Sequence, residues 1–267
     1  MAQSIVHRNH VQTLGRGAQA MVFAHGFGSD QTAWRHHAAE FAEDHAVVLF
    51  DHVGAGRSDL GAYSPRRYAS LHGYAQDLLE LLAELRLEGI TYVGHSVSGM
   101  VGLLAALLEP SRFRRMVFVG ASPRYLNDGA YVGGFEQSDL DGLFAAMATN
   151  YYGWAGGFAP LAMGNPERPE LADEFGKTLQ AMRPDIAQAV ARVIFQSDHR
   201  ADLPQLRVPT LIVQAHDDIA VPPDVGRYMA AKIPRSTLRN IDAHGHFPHL
   251  SAPAAVATEI RGFIAAT

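Results

Sequence analysis

The chain has 267 residues, and 22 Lys and Arg against 27 Asp and Glu leave a formal charge of −5. That length suits one α/β domain with room for an insertion, because single domains of this class commonly run to about 250 residues. Apolar residues at 48% and charged residues at 18% are enough for a full core, which excludes disorder; the mild acidity excludes the basic stripe of a nucleic-acid binder. Cysteine is absent, so there is no disulfide framework, thiolate zinc site or Cys nucleophile. The stretch Met1 to His10 has no apolar h-region, and no apolar run approaches the ~18 residues of a membrane span. A soluble cytoplasmic protein is the expectation.

In chain order, Ala20 to Ala24 (AMVFA) reads as a buried strand ending at His25-Gly26-Phe27-Gly28, and Ala46 to Phe50 as a second, ending at Asp51 and a Gly54/Gly56 loop. Tyr74 to Leu87 carries Leu78, Leu81, Leu82 and Leu85 at helical spacing. Ile90 to Val93 is a third strand running directly into Gly94-His95-Ser96-Val97-Ser98, with a buried helix over Met100 to Leu108 behind it. Arg115 to Val119, Thr210 to Val213 and Thr237 to Ile241 are further strands. This alternation predicts an α/β fold, a mostly parallel central sheet with helices on both faces. Residues 1–131 and 196–267 form its core. Residues 132–195 show helix without a strand signal and are rich in aromatics, which predicts an inserted lid over the C-terminal edge of the sheet.

The sharpest chemical signal is Ser96. A strand that turns tightly into a helix exposes its central residue and demands small neighbours two positions away, which Gly94 and Ser98 supply. The pattern departs from G-x-S-x-G at Ser98, with Gly99 one residue later, and a helix N-cap is the plainer reading of a lone strand–Ser–helix junction. A serine nucleophile needs a base and an acid that orients it, in the chain order Ser, Asp, His, each beyond a later strand. Gln214 to Pro222 and Asp242 to His249 fall where that order requires. Asp218, four residues before Pro222, is preferred over Asp217 as the acid. His246, after Gly245, is preferred over His244 and His249 as the base.

The H-x-H-x-x-H of His244, His246 and His249 also has metal-ligand spacing, but no fourth ligand motif accompanies it. Backbone N–H groups of Val97 and Phe27 are placed to stabilise an oxyanion, with His25 bracing the loop. Val53 to Ser58 contains G-x-G after a strand, yet Asp59 stands where a dinucleotide fingerprint needs its third glycine.

Taken together, HGFG (25–28), DHVGAGRSD (51–59), GHSVSG (94–99), the acid loop and GHFPHL (245–250) resemble the α/β-hydrolase superfamily across nearly the whole chain. SIVHRNHV (4–11), YLND (125–128), GGFE (133–136), MRPDI (182–186) and SDHR (197–200) narrow the likeness to the bacterial RsbQ proteins and the plant strigolactone and karrikin receptors. That resemblance implies a V-shaped lid of four helices and a triad of Ser96, Asp218 and His246. It also implies an apolar pocket lined by Phe27, Val97, Tyr125, Phe135, Trp154, Phe158 and Phe195. The implied activity is hydrolysis of small apolar esters or lactones of the butenolide type, without cofactor or metal. The alternative is an RsbQ-like ligand sensor with slow or single-turnover hydrolysis, acting beside an RsbP-like phosphatase in a stress response.

Overall fold

The computed structural model describes residues 4–267. Among them a seven-stranded sheet runs in the order β1-β3-β2-β4-β5-β6-β7. Its strands are β1 (Gln12–Leu14), β2 (Ala20–Ala24), β3 (Ala46–Phe50), β4 (Ile90–His95), β5 (Phe113–Val119), β6 (Thr210–Asp217) and β7 (Ser236–His244). All neighbouring pairs are parallel except β1 with β3, which is antiparallel. The helices are α1 (Ile5–Arg8), α2 (Arg35–Phe41), α3 (Leu71–Glu84), α4 (Val97–Leu108), α5 (Gln137–Thr149), α6 (Tyr151–Met163), α7 (Pro169–Ala181), α8 (Pro184–Phe195), α9 (Pro223–Lys232), α10 (Pro248–Ser251) and α11 (Pro253–Ala266).

The strands are apolar almost throughout because both faces of the sheet are covered. Successive residues of β2 alternate between two cores: Met21 and Phe23 pack with Trp34, Phe41 and Ile260, while Val22 and Ala24 pack with Leu78, Val101 and Met100. The exposed antiparallel strand β1 was not read from the sequence, where three residues carry too little pattern. Helices α9 and α11 were not read either, although Val256, Ile260 and Phe263 at spacings of four and three mark the buried face of α11.

The topology fixes where a ligand can sit. From β2 the chain crosses to β3 on one side and then returns to β4 on the other, so the switch point lies between β2 and β4. Open α/β sheets leave a crevice at the carboxyl ends of such a pair. Here those ends carry Gly26-Phe27 and Ser96. Helices α5 to α8 enter between β5 and β6 and pack on this edge, with Phe175 and Leu179 of α7 against Phe247 and Ile186 and Ile194 of α8 against the main core. Among the described residues, no helix is long and apolar enough to cross a membrane.

Candidate active site

Ser96 joins β4 to α4 with φ 56° and ψ −125°, a backbone conformation that a residue with a side chain adopts only under constraint. The constraint comes from close packing around the turn. A Cβ on Gly94 would lie 2.6 Å from the Ser98 carbonyl oxygen, and one on Gly99 would lie 2.5 Å from Ala121 Cβ. The close approaches therefore fall at positions 94 and 99. Position 98 has room for a side chain: Ser98 Oγ donates to the His25 carbonyl at 2.5 Å and stands 2.7 Å from His52 Nε2. The departure from glycine at Ser98 thus leaves the turn intact.

Three side chains from three distant segments meet here. His246 Nε2 is 2.8 Å from Ser96 Oγ, and its Nδ1 is 2.9 and 3.0 Å from the two carboxylate oxygens of Asp218. The carboxylate can only accept from Nδ1–H, which leaves Nε2 unprotonated and able to accept the Ser96 hydroxyl proton. Asp218 is buried, and its Oδ1 also accepts from the N–H groups of Ala220 and Val221 at 2.9 and 3.1 Å. Asp217 points outward with its side chain 81% exposed, 3.6 Å from an exposed His244. The three histidines of the H-x-H-x-x-H run part company: His246 reaches Ser96, and His249 is buried on the Trp34 ring at 4.4 Å.

The loop carrying His246 is held from two sides. His95 Nε2–H donates to the His246 carbonyl at 2.7 Å, and the His246 N–H donates to the Ala162 carbonyl of α6 at 2.7 Å. Asn165, just past α6, donates to the His244 carbonyl at 3.0 Å. Gly245 has φ 81°, and a Cβ on it would collide with the Met163 carbonyl, so only glycine lets this loop pass the end of α6. His95 is buried, and desolvation with the neighbouring His246 holds its pKa well below the ordinary imidazole value. It stays neutral, which suits a fixed donor.

Val97 is the first residue of α4, where an N–H has no intrahelical acceptor, and Phe27 follows β2 across the crevice. Gly26 between them is required: a Cβ there would lie 2.6 Å from His95 Nδ1. His25 ties this loop down, with its Nε2 accepting from the His52 N–H at 3.0 Å and Nδ1–H donating to the Gly26 carbonyl at 2.8 Å.

An apolar cavity opens beside Phe27 and Val97, with Val101, Tyr74, Met182 and Ile194 also among its walls. Of the seven expected pocket residues, Phe27 and Val97 line it. Tyr125, Phe135 and Phe195 instead form an aromatic cluster, with centroids 5.0 to 6.5 Å apart. The Tyr125 hydroxyl is 3.3 Å from Ser96 Oγ; burial pushes its pKa upward, so it stays protonated as a donor to the serine. Trp154 and Phe158 stack at 5.1 Å on α6. The walls that α8 contributes could have been found from its apolar face, Ile186, Val190 and Ile194, at i, i+4, i+8.

This arrangement of elbow, buried acid and loop histidine over a parallel sheet coincides with a match of residues 19–253 to the α/β hydrolase fold family. The chain is an α/β hydrolase. A strigolactone esterase of Pisum sativum is 43% identical over 262 residues, covering 97% of this hydrolase and 98% of the relative. A karrikin insensitive 2 receptor of Petunia hybrida is 45% identical over 251 residues, 93% of each chain. This hydrolase belongs to the family of those esterases and receptors. A solved hydrolase from Oleispira antarctica superposes with a TM-score of 0.96 at 38% identity, covering 98% of this chain and 97% of that one.

Proposed function

We propose that this chain hydrolyses small, largely apolar carboxylic esters or lactones, the butenolide type included, through a Ser96 acyl-enzyme. The observation that carries the reading is the continuous chain from Ser96 Oγ through His246 to a buried Asp218, with every link within 3.0 Å. Ser96 Oγ attacks the carbonyl carbon while His246 Nε2 takes its proton. The oxyanion accepts hydrogen bonds from the N–H groups of Phe27 and Val97. Asp218 holds the imidazole in its tautomer and stabilises the imidazolium, which then protonates the leaving alkoxide. Water, activated by the same histidine, releases the acid. The chemistry calls for no cofactor.

In this reading residues 132–195 act as a lid, with Tyr125, Phe135, Trp154, Phe158 and Phe195 as apolar surface that substrate meets as it enters. The place of action in this reading is the cytoplasm, in keeping with a sequence that has no cysteine.

A second reading draws support from one feature. The His246 N–H donates to the Ala162 carbonyl and the Asn165 side chain donates to the His244 carbonyl, so hydrogen bonds join the loop of the reacting histidine to the lid. A sensor that uses slow or single turnover to change its lid would be built this way, and a signalling phosphatase of the RsbP kind is the partner that analogy offers.

Wild type and Ser96→Ala, given an activated aryl ester and a synthetic butenolide ether, decide between them when product and intact protein mass are followed together. Rapid Ser96-dependent turnover without a lasting adduct supports the metabolic hydrolase. One turnover followed by a persistent mass increase supports the sensor. Equal hydrolysis by Ser96→Ala overturns both.

A further inference from the structure

Ser96 Oγ meets two side chains at hydrogen-bond distance, His246 Nε2 at 2.8 Å and the Tyr125 hydroxyl at 3.3 Å. Counting protons decides which group donates. His246 carries its proton on Nδ1, against the Asp218 carboxylate, so Nε2 can only accept, and it takes the one proton that Ser96 has. The second contact is therefore a donation from the Tyr125 O–H to Ser96 Oγ. Burial raises the Tyr125 pKa, which keeps this donor protonated. The hydroxyl is held in place by the segment between β5 and α5. The Tyr125 carbonyl accepts from the Phe135 N–H at 3.1 Å, and the ring packs with Phe195 and Phe135 at centroid distances of 5.0 and 6.5 Å.

This donor matters because its acceptor changes character during the reaction. In the free enzyme Oγ is an alcohol oxygen and accepts well. In the acyl-enzyme it is the alkoxy oxygen of an ester, whose lone pair is drawn towards the carbonyl, and it accepts poorly. A buried phenol facing a weakened partner raises the energy of the acyl-enzyme. Deacylation reverses the loss. Water attacks the acyl carbon while His246 Nε2 takes a water proton; the bond from that carbon to Oγ then breaks, its electron pair goes to Oγ, and His246 returns the proton there. Tyr125 keeps its own proton, and its hydrogen bond strengthens as charge gathers on Oγ. Acylation gains less, because the bond to the alcohol oxygen is already made before the attack. Resting on the hydrolase reading above, we infer that Tyr125 is a catalytic residue of deacylation: its hydroxyl stabilises Ser96 Oγ as that oxygen leaves, and so shortens the life of the acyl-enzyme.

The test compares wild type with Tyr125→Phe on para-nitrophenyl acetate and on para-nitrophenyl dimethylcarbamate, whose serine adduct hydrolyses slowly. Release of the phenolate reads the first step, and decay of the adduct in intact protein mass reads the second. Tyr125→Phe should slow decay of the adduct by at least about tenfold and its formation by less than about threefold. A merely structural role would slow both steps alike. Fluorotyrosine at position 125, with the fluorine beside the hydroxyl, keeps the shape of the side chain and makes it a stronger donor. It should shorten the life of the adduct, and it carries the test if Tyr125→Phe does not fold. Ser96-dependent reaction in which Tyr125→Phe leaves decay unchanged or slows both steps equally, or in which fluorotyrosine fails to shorten the adduct's life, overturns this inference alone. Absence of any Ser96-dependent reaction in wild type with either probe overturns the hydrolase reading, and the role of Tyr125 with it.

Discussion

Ser96 and His246 are held by different regions of the molecule. Ser96 follows β4, flanked on both sides by parallel strands, and glycines at 94 and 99 pack its turn against the sheet and against Ala121. His246 follows β7 at the edge of the sheet, and its backbone is fastened to Ala162 at the end of α6 and to His95. Ser96 thus depends on the core alone, while His246 depends on core and insertion together. The inserted helices therefore help to hold the loop that carries His246.

The largest effect that bears on this comparison comes from the reacting groups themselves. Ser96→Ala should lower ester turnover by about 10⁴- to 10⁶-fold without lowering the melting temperature. Asp218→Asn should cost about 10⁴-fold, through loss of the imidazole tautomer. Asp217→Asn, changing an exposed side chain, should stay within about twofold. Steady-state kinetics on the three variants checks the ranking, and a larger loss at Asp217 would reverse the assignment of the acid.

The joint between base and insertion is probed by Gly245→Ala. The added Cβ meets the Met163 carbonyl at a backbone conformation that disfavours it, so the His246 loop and the end of α6 must separate. We expect a loss of about 2 kcal/mol in stability and a fall in kcat of more than about tenfold, with KM less affected. Gly129→Ala, also at positive φ but with open space around its Cβ, should lower stability by about 1 kcal/mol and leave kcat unchanged. Equal kcat in both variants would break the claim that α6 positions the base.

A smaller effect is graded with pH. Burial, with His36 adding to it, lowers the His37 pKa to about 4, against an ordinary 6.5. Between those values the unfolded chain binds more protons than the folded one, so stability rises with pH through that window and is lost as pH falls from 6.5 towards 4. His37 by itself accounts for about 3 kcal/mol over that range. His52, His95 and His249 are shifted in the same direction, also by burial first. Thermal unfolding between pH 4 and 7 should show a steep acid limb that His37→Leu makes shallower. Parallel limbs would show that His37 is not among the groups responsible.

Much of this molecule is written in short-range patterns. Buried parallel strands such as AMVFA and AVVLF are legible because covered faces require unbroken apolar runs. Ser96 is legible because its turn is bordered by small residues, Gly94, Ser98 and Gly99, at the junction of a strand with a helix. The acid and base segments are legible because each follows its strand directly. Strand β1 escaped this reading because three exposed residues bear no period, and the helix signal of α11 lies in spacing rather than in any motif.

What the sequence determined by itself was therefore local: an alternating α/β order, an elbow serine, and an Asp and a His waiting after later strands. Tertiary structure decided how those pieces bear on one another. It set Ser98 between His25 and His52, and tied the loop of His246 to α6. It also put the cavity among Val97, Tyr74 and Ile194, apart from the Tyr125, Phe135 and Phe195 cluster. The reason is range: a pattern reports which face a residue shows, whereas a contact between residues 46 or 84 positions apart exists only once both faces have been packed.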